Sequence, residues 1–127
     1  MNAAASRLHG RIHAKALFYF MNKFKEIDWS IDEDLFFDDE EGKLRFRPDI
    51  IGRDKEDNIV YGVEVSVSTL KKDLGIVKSL FREKEVLNYF VIDCNHEKVF
   101  HFKLEENEYR ELEGSELSMN IARSVFA

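Results

Sequence analysis

The chain has 127 residues, 44% of them apolar and 13% aromatic, so we expect one hydrophobic core and a single domain over residues 1–127. The formal charge of −6 argues against a protein that grips nucleic acid through a broad basic surface. The sequence has no apolar stretch of about 18 residues to span a membrane, nor the apolar start of a secretory signal. The single cysteine, Cys94, excludes an internal disulfide framework, so we expect a buried free thiol and a cytoplasmic protein.

The first predicted element is an amphipathic helix over residues 3–25, with apolar side chains at four-residue spacing from Leu8 to Phe24. His9 and His13 lie one turn apart on it, a spacing that suits zinc. Because no cysteine or third ligand accompanies them, we interpret them as two polar residues on the flank of the helix.

A strand pattern follows this helix. Acidic turns at 38–42 and 54–58 separate apolar runs, which predicts two hairpins. The runs cover residues 35–37, 44–47 and 59–67.

The second half of the chain returns to a helical pattern over residues 70–84, with Ser68 or Thr69 as the N-cap and Asp73 near its start. Two further strands and a short terminal helix are predicted at 88–93, 99–104 and 118–126. The main elements therefore have the order αβββαββ. This order predicts an α/β fold with a mixed central sheet flanked by helices.

Two acidic residues interrupt the strand-like runs. Alternation within a strand places Asp49 on one face with Arg45 and Arg47, and it places Glu64 on the polar face of its own strand. A hairpin symmetric about its acidic turn puts Asp49 directly opposite Glu64, where like charges repel. A divalent cation such as Mg²⁺ would offset that repulsion, and Pro48 would let the strands part into a pocket. The alternative is a protonated or solvent-facing acid pair on an exposed sheet face.

The motifs around these acids resemble the Uma2 family of restriction-endonuclease-like proteins, within the PD-(D/E)XK nuclease superfamily. They are Pro48-Asp49, Val63-Glu64-Val65-Ser66-Val67-Ser68-Thr69, Lys72-Asp73-Leu74-Gly75 and Asn88-Tyr89-Phe90-Val91-Ile92-Asp93. The resemblance covers residues 8–104 and implies a restriction-endonuclease-like fold. It also implies that Asp49 and Glu64 bind Mg²⁺ or Mn²⁺, with the Val65 carbonyl as a further ligand. The metal would generate a nucleophile from water and stabilise charge on the phosphate. A third acid could come from Glu26, Asp32 or Glu33, and the sequence does not choose among them.

The sequence differs from the superfamily motif at the lysine, because Ser66 occupies that position two residues after Glu64. Uma2-like sequences carry a lysine on the following helix, where the corresponding position falls on Val77, next to Lys78. Lys71 and Lys72, near the start of that helix, are the alternatives. The predicted catalytic residues are therefore Asp49, Glu64, Lys78 and Lys72, and the predicted substrate contacts are Arg47 and Lys71.

These residues predict a Mg²⁺-dependent endonuclease that hydrolyses DNA phosphodiester bonds. One alternative is a catalytically inactive nuclease fold acting as a nucleic-acid-binding or oligomeric module; another is an interaction domain whose acid pair is incidental.

An acidic chain of this size should bind DNA weakly alone, so a homodimer or a separate recognition subunit is expected. Phe100, Phe102 and Val125-Phe126 are candidates for the dimer surface or, equally, for the core.

Overall fold

The computed structural model describes residues 2–39 and 42–127. Within these ranges the chain forms four helices: α1 (Ala3–Lys23), α2 (Leu70–Leu74), α3 (Ile76–Glu83) and α4 (Glu116–Phe126). It also forms eight strands: β1 (Asp28–Ser30), β2 (Leu35–Asp39), β3 (Gly42–Phe46), β4 (Ile50–Arg53), β5 (Ile59–Ser66), β6 (Asn88–Asp93), β7 (Lys98–Glu105) and β8 (Glu108–Glu111). None of the helices in the described ranges combines the length and apolar character that a bilayer crossing requires.

Six strands form one sheet in the order β1-β4-β5-β6-β7-β8, and β2 and β3 form a separate two-stranded sheet. The central strands β5 and β6 are parallel, and α2 and α3 supply the crossover that a parallel pair needs. The other pairs of the large sheet are antiparallel. The predicted α/β class, with a mixed central sheet flanked by helices, is confirmed.

Some elements differ from the sequence pattern. The helix predicted over residues 70–84 is divided at Gly75, whose backbone (φ −114°, ψ −97°) lies outside the helical region. Glycine resists helix formation because it loses the most backbone entropy. The short strands β1 and β8 lie at the two edges of the large sheet, and their polar sequences lack the alternation that identifies a half-buried strand.

Two hydrophobic cores pack on opposite faces of the large sheet. The first is covered by α1 and α4 and includes Phe20, Val65 and the predicted buried thiol Cys94. The second is covered by α3 and the β2–β3 hairpin and includes Phe81 and Tyr89. Of the four residues that were candidates for a dimer surface, Phe102 and Val125 are buried, and Phe100 and Phe126 pack against the cores. They therefore belong to the core.

At the end of the β4–β5 hairpin next to Asp49, the observed register is the predicted one. Ile50 pairs with Val63 and Ile51 with Gly62. Nearer the turn the register shifts by one residue, so that Arg53 pairs with Ile59. The other predicted hairpin is the β2–β3 pair, and part of its turn, residues 40–41, lies outside the described residues.

Candidate active site

Asp49 lies immediately before β4, where the pairing of this strand with β5 ends at Ile50 and Val63. Beyond that pair the Val65 amide has no partner on β4, and it donates a hydrogen bond of 2.7 Å to Asp49 Oδ2. The preceding Pro48 is buried and, like any proline, offers no N–H to a ladder. At this break the Asp49 side chain therefore serves as the acceptor for the Val65 amide of β5.

Glu64 lies on β5 with only 6% of its surface exposed. Its Oε1 atom is buried and has no hydrogen-bond partner among residues 2–39 and 42–127. Burial raises the pKa of Glu64 well above its usual range, and the charge of the neighbouring Asp49 carboxyl raises it further. The structure thus brings the two predicted acids together in a place that favours a proton or a cation.

Asp73 is a third acid of this cluster. It is 5% exposed, and its Oδ2 accepts hydrogen bonds from the hydroxyl groups of Ser66 and of Thr69, the latter at 2.7 Å. The Tyr89 hydroxyl donates to the Asp73 backbone carbonyl at 2.7 Å. Burial raises the pKa of Asp73, which these side-chain hydrogen bonds oppose, and its charge contributes to the raised pKa of Glu64.

Sequence reasoning did not select Asp73 as the third acid. Of the residues that it considered, Glu33 forms an ion pair with Arg53, and Asp32 acts electrostatically on Arg47. Asp73 stood in one of the quoted motifs, but its contact with Ser66 depends on how α2 packs against β5. The available signal was the run of hydroxyl residues before α2, which can bond a carboxylate in the first turn.

His9 and His13, interpreted from the sequence as polar residues on a helix flank, both contact Asp49. His9 Nε2 lies 3.4 Å from Asp49 Oδ2, and His13 Nε2 donates to the Asp49 backbone carbonyl at 2.8 Å. Their spacing of one turn places both rings on the same side of α1, with centroids 5.7 Å apart. The two nitrogens bond different atoms of one residue.

The predicted lysines lie at different distances from the acids. Lys78 Nζ is 4.4 Å from the centroid of the Phe102 ring, in the second core, and the structure does not bring it to the acid pair. Lys71 and Lys72 are exposed on α2, and the charge of Lys72 lowers the pKa of the neighbouring Asp73. Lys72 is thus the predicted catalytic lysine whose charge acts on an acid of this cluster.

Arg47 does not share a strand with Asp49, contrary to the expected alternation. β3 ends at Phe46 and belongs to the small sheet, whereas β4 begins at Ile50 in the large one. The exposed Arg47 side chain forms an ion pair with Asp34, with 2.9 Å between Nε and Oδ1. Its predicted contact with substrate therefore competes with an ion pair inside the protein.

One protein-family model matches nearly the whole chain. The model of the Uma2 family, described as "Putative restriction endonuclease", matches residues 3–126. The chain belongs to the Uma2 family. Among curated proteins, no match is found.

The acid pair of this Uma2 protein fits a hard divalent cation. In the described part of the chain no group of three or more His, Cys, Asp or Glu side chains is arranged to hold a metal ion. Mg²⁺, however, commonly binds through one or two carboxylates and keeps several waters. Asp49 and Glu64 supply two such groups, and the unpartnered Oε1 of Glu64 is the atom that a cation would satisfy.

Proposed function

We propose that this Uma2 protein is a Mg²⁺-dependent nuclease that hydrolyses phosphodiester bonds of DNA, with Mn²⁺ as a substitute cation. The family description supports the nuclease class. The observation that carries the proposal is the buried Oε1 of Glu64, which has no partner in the described residues and lies beside the Asp49 carboxyl. A buried carboxyl oxygen without a partner is costly unless a proton or a cation binds it.

In this proposal Asp49 and Glu64 hold the cation. The bound metal supplies a nucleophile from water at neutral pH and stabilises negative charge on the phosphate. Asp73, fixed by its two hydroxyl donors, maintains negative charge next to the pair. The exposed Lys71 and Lys72 are the cationic side chains closest in sequence to this third acid. Lys71 would contact the DNA backbone, and Lys72 would assist the acids.

One observation favours the inactive alternative. Ser66 holds the position of the motif lysine, and its hydroxyl is already bonded to Asp73. In the described residues no lysine forms an ion pair with any of the three acids. A nuclease fold without its lysine would still bind nucleic acid while cleaving slowly or not at all.

Cleavage of supercoiled plasmid DNA and of labelled single- and double-stranded oligonucleotides, with Mg²⁺ or with EDTA, tests the proposal. We expect cation-dependent cleavage by the wild-type protein and a loss of about 10²- to 10³-fold or more in Asp49→Asn and Glu64→Gln. Glu108→Gln is the matched control, because Glu108 is exposed on the edge strand β8 and forms its ion pair with Arg82 of α3.

The same variants separate the alternatives. DNA binding by a wild-type protein that never cleaves would support the inactive module. Cleavage that persists in both acid variants would overturn the proposed site. An acidic chain is expected to bind DNA weakly. The cleavage assays are therefore repeated at high protein concentration and low salt, which also tests whether a homodimer forms or a recognition subunit is needed.

A further inference from the structure

Helix α1 reaches the site from the face of the sheet that carries the first core. Ile12, Ala16 and Phe20 anchor it there, with 3% of the surface of Ile12 exposed and none of the other two. His9 and His13 lie on the same side of the helix, and their side chains extend to Asp49. The packing of α1 therefore fixes where these two imidazoles stand relative to the start of β4.

The contacts of Asp49 are divided between its backbone and its side chain. Its carbonyl, outside the β4 ladder, accepts the N–H of His13. Its Oδ2 accepts the Val65 amide and lies within reach of His9 Nε2. The Val65 amide and His9 Nε2 thus both lie at Oδ2 and neither contacts Oδ1, which leaves Oδ1 for a proton shared with Glu64 or for a cation.

The geometry points to a positioning role for this pair: His9 and His13 clamp Asp49 from α1, so that one carboxyl oxygen is committed to Val65 and the other is presented to Glu64. The clamp needs only the neutral imidazole with its proton on Nε2. Its consequence for metal binding rests on the proposed function, whereas the clamp itself is a property of the metal-free protein.

The Val65 amide gives a direct readout of the clamp. Its 2.7 Å hydrogen bond to a carboxylate is short, so its proton should resonate downfield and exchange slowly in ¹H–¹⁵N spectra of the metal-free protein. Asp49→Ala defines the signal when the bond is lost. In His9→Leu and His13→Leu we expect the Val65 signal to move at least halfway to that position, with exchange about fivefold to tenfold faster.

Two further variants separate positioning from general loosening of the helix. His13→Gln keeps an N–H donor at a similar reach and should restore most of the wild-type Val65 signal. Ile12→Val lies between the two histidines and weakens the packing of α1 without a hydrogen bond to Asp49, so it should leave the signal in place. Circular dichroism would confirm that each variant is folded before its spectrum is interpreted.

Metal affinity is the second readout. Loss of a residue that orients a ligand typically weakens metal binding 10- to 100-fold, so we expect a Kd for Mn²⁺ about 10- to 100-fold higher in His13→Leu and within about threefold of wild type in His13→Gln. Isothermal titration calorimetry with Mn²⁺ alone measures both.

The outcomes distinguish this inference from the proposed function. A Val65 signal that is unchanged in both leucine variants, or that moves equally in Ile12→Val, would overturn the clamp. A wild-type protein that binds no Mn²⁺ would overturn the proposed metal site, and the Val65 signal would still decide whether the histidines position Asp49.

Discussion

The Ser66 hydroxyl donates a hydrogen bond to the Asp73 carboxylate at the position where the nuclease motif carries a lysine. Thr69 adds a second hydroxyl donor to the same oxygen, so the place beside Glu64 is filled by a neutral group that is already bonded. A cationic side chain that assists the acids must therefore come from a different element. We expect α2 rather than α3 to supply it, because Lys72 adjoins Asp73 whereas Lys78 lies over Phe102.

The two candidate lysines should respond differently to substitution. We expect Lys72→Met to lower the rate of cation-dependent DNA cleavage by about 10²-fold, the lower range for loss of a group that assists proton transfer. Lys78→Met, which keeps an unbranched side chain over Phe102, should remain within about twofold of wild type. Single-turnover cleavage rates at saturating protein measure both. A larger loss in the Lys78 variant would contradict the assignment to α2.

The raised pKa of Glu64 predicts how stability depends on pH in the metal-free protein. The folded state holds the Glu64 proton more tightly than the unfolded state does. This contribution is fully present below the unfolded pKa of about 4.3, and it is lost as pH rises through the folded pKa, by up to about 1.4 kcal/mol per pH unit. Glu64→Gln cannot lose this proton, so its free energy of unfolding should increase relative to wild type as pH rises.

Urea unfolding in EDTA, from pH 5 to pH 9, measures this difference. Asp73, whose pKa is also raised, is present in both proteins, and its contribution largely cancels in the comparison. Parallel stability curves for wild type and Glu64→Gln would show that Glu64 ionises as an ordinary exposed acid.

Metal binding should displace the Glu64 proton. Because a ligand must be deprotonated to bind a cation, we expect the Kd for Mn²⁺ to rise about tenfold for each pH unit below the folded pKa of Glu64. At a free Mn²⁺ concentration 100 times the Kd, the wild-type protein should gain about 2.7 kcal/mol in its free energy of unfolding. Calorimetry in buffers of different ionisation enthalpy counts the released proton. Asp49→Asn should lose the stabilisation, and equal gains in the two proteins would locate the cation elsewhere.

A pair of glycine substitutions tests the packing beneath the site. A Cβ on Gly62 would lie 2.5 Å from Phe81 Cε1, and Phe81 is stacked on Tyr89 with 4.7 Å between ring centroids. We expect Gly62→Ala to reduce the free energy of unfolding by about 1–3 kcal/mol. Gly10→Ala, in the exposed part of α1 with nothing within 4 Å, should increase it by about 0.5–1 kcal/mol. Urea unfolding measures both variants. An unchanged free energy of unfolding in Gly62→Ala would contradict this account.

The part of the site that the sequence predicts is the part that a single hairpin determines. The proximity of Asp49 and Glu64 follows from the register and turn length of the β4–β5 hairpin, and the observed pairs from Ile50 to Gly52 keep the predicted register. The one-residue shift at Arg53 lies on the turn side of these pairs and leaves the register next to Asp49 unchanged. Local patterns such as these depend on neighbours in the chain, which a sequence shows directly.

The remaining contacts arise between elements that are distant in the chain. His9 and His13 reach Asp49 across 40 and 36 residues, and the approach depends on how α1 lies on the sheet. By contrast, Asp73 lies only seven residues from Ser66, yet their contact also depends on how α2 packs against the end of β5. Helical periodicity identifies which side of each helix is buried, but it does not specify which strand end that side will face.

The position of the acids between the two cores has a mechanical consequence. The layer of α1 holds Asp49 from one face of the sheet, and the layer of α2 contributes Asp73 from the other. A cation shared by Asp49 and Glu64, as proposed, would join the residue that α1 contacts to the strand whose Ser66 contacts α2. Its removal should loosen both helices together, so divalent ions in the surrounding solution would set how cooperatively the two halves of the protein unfold.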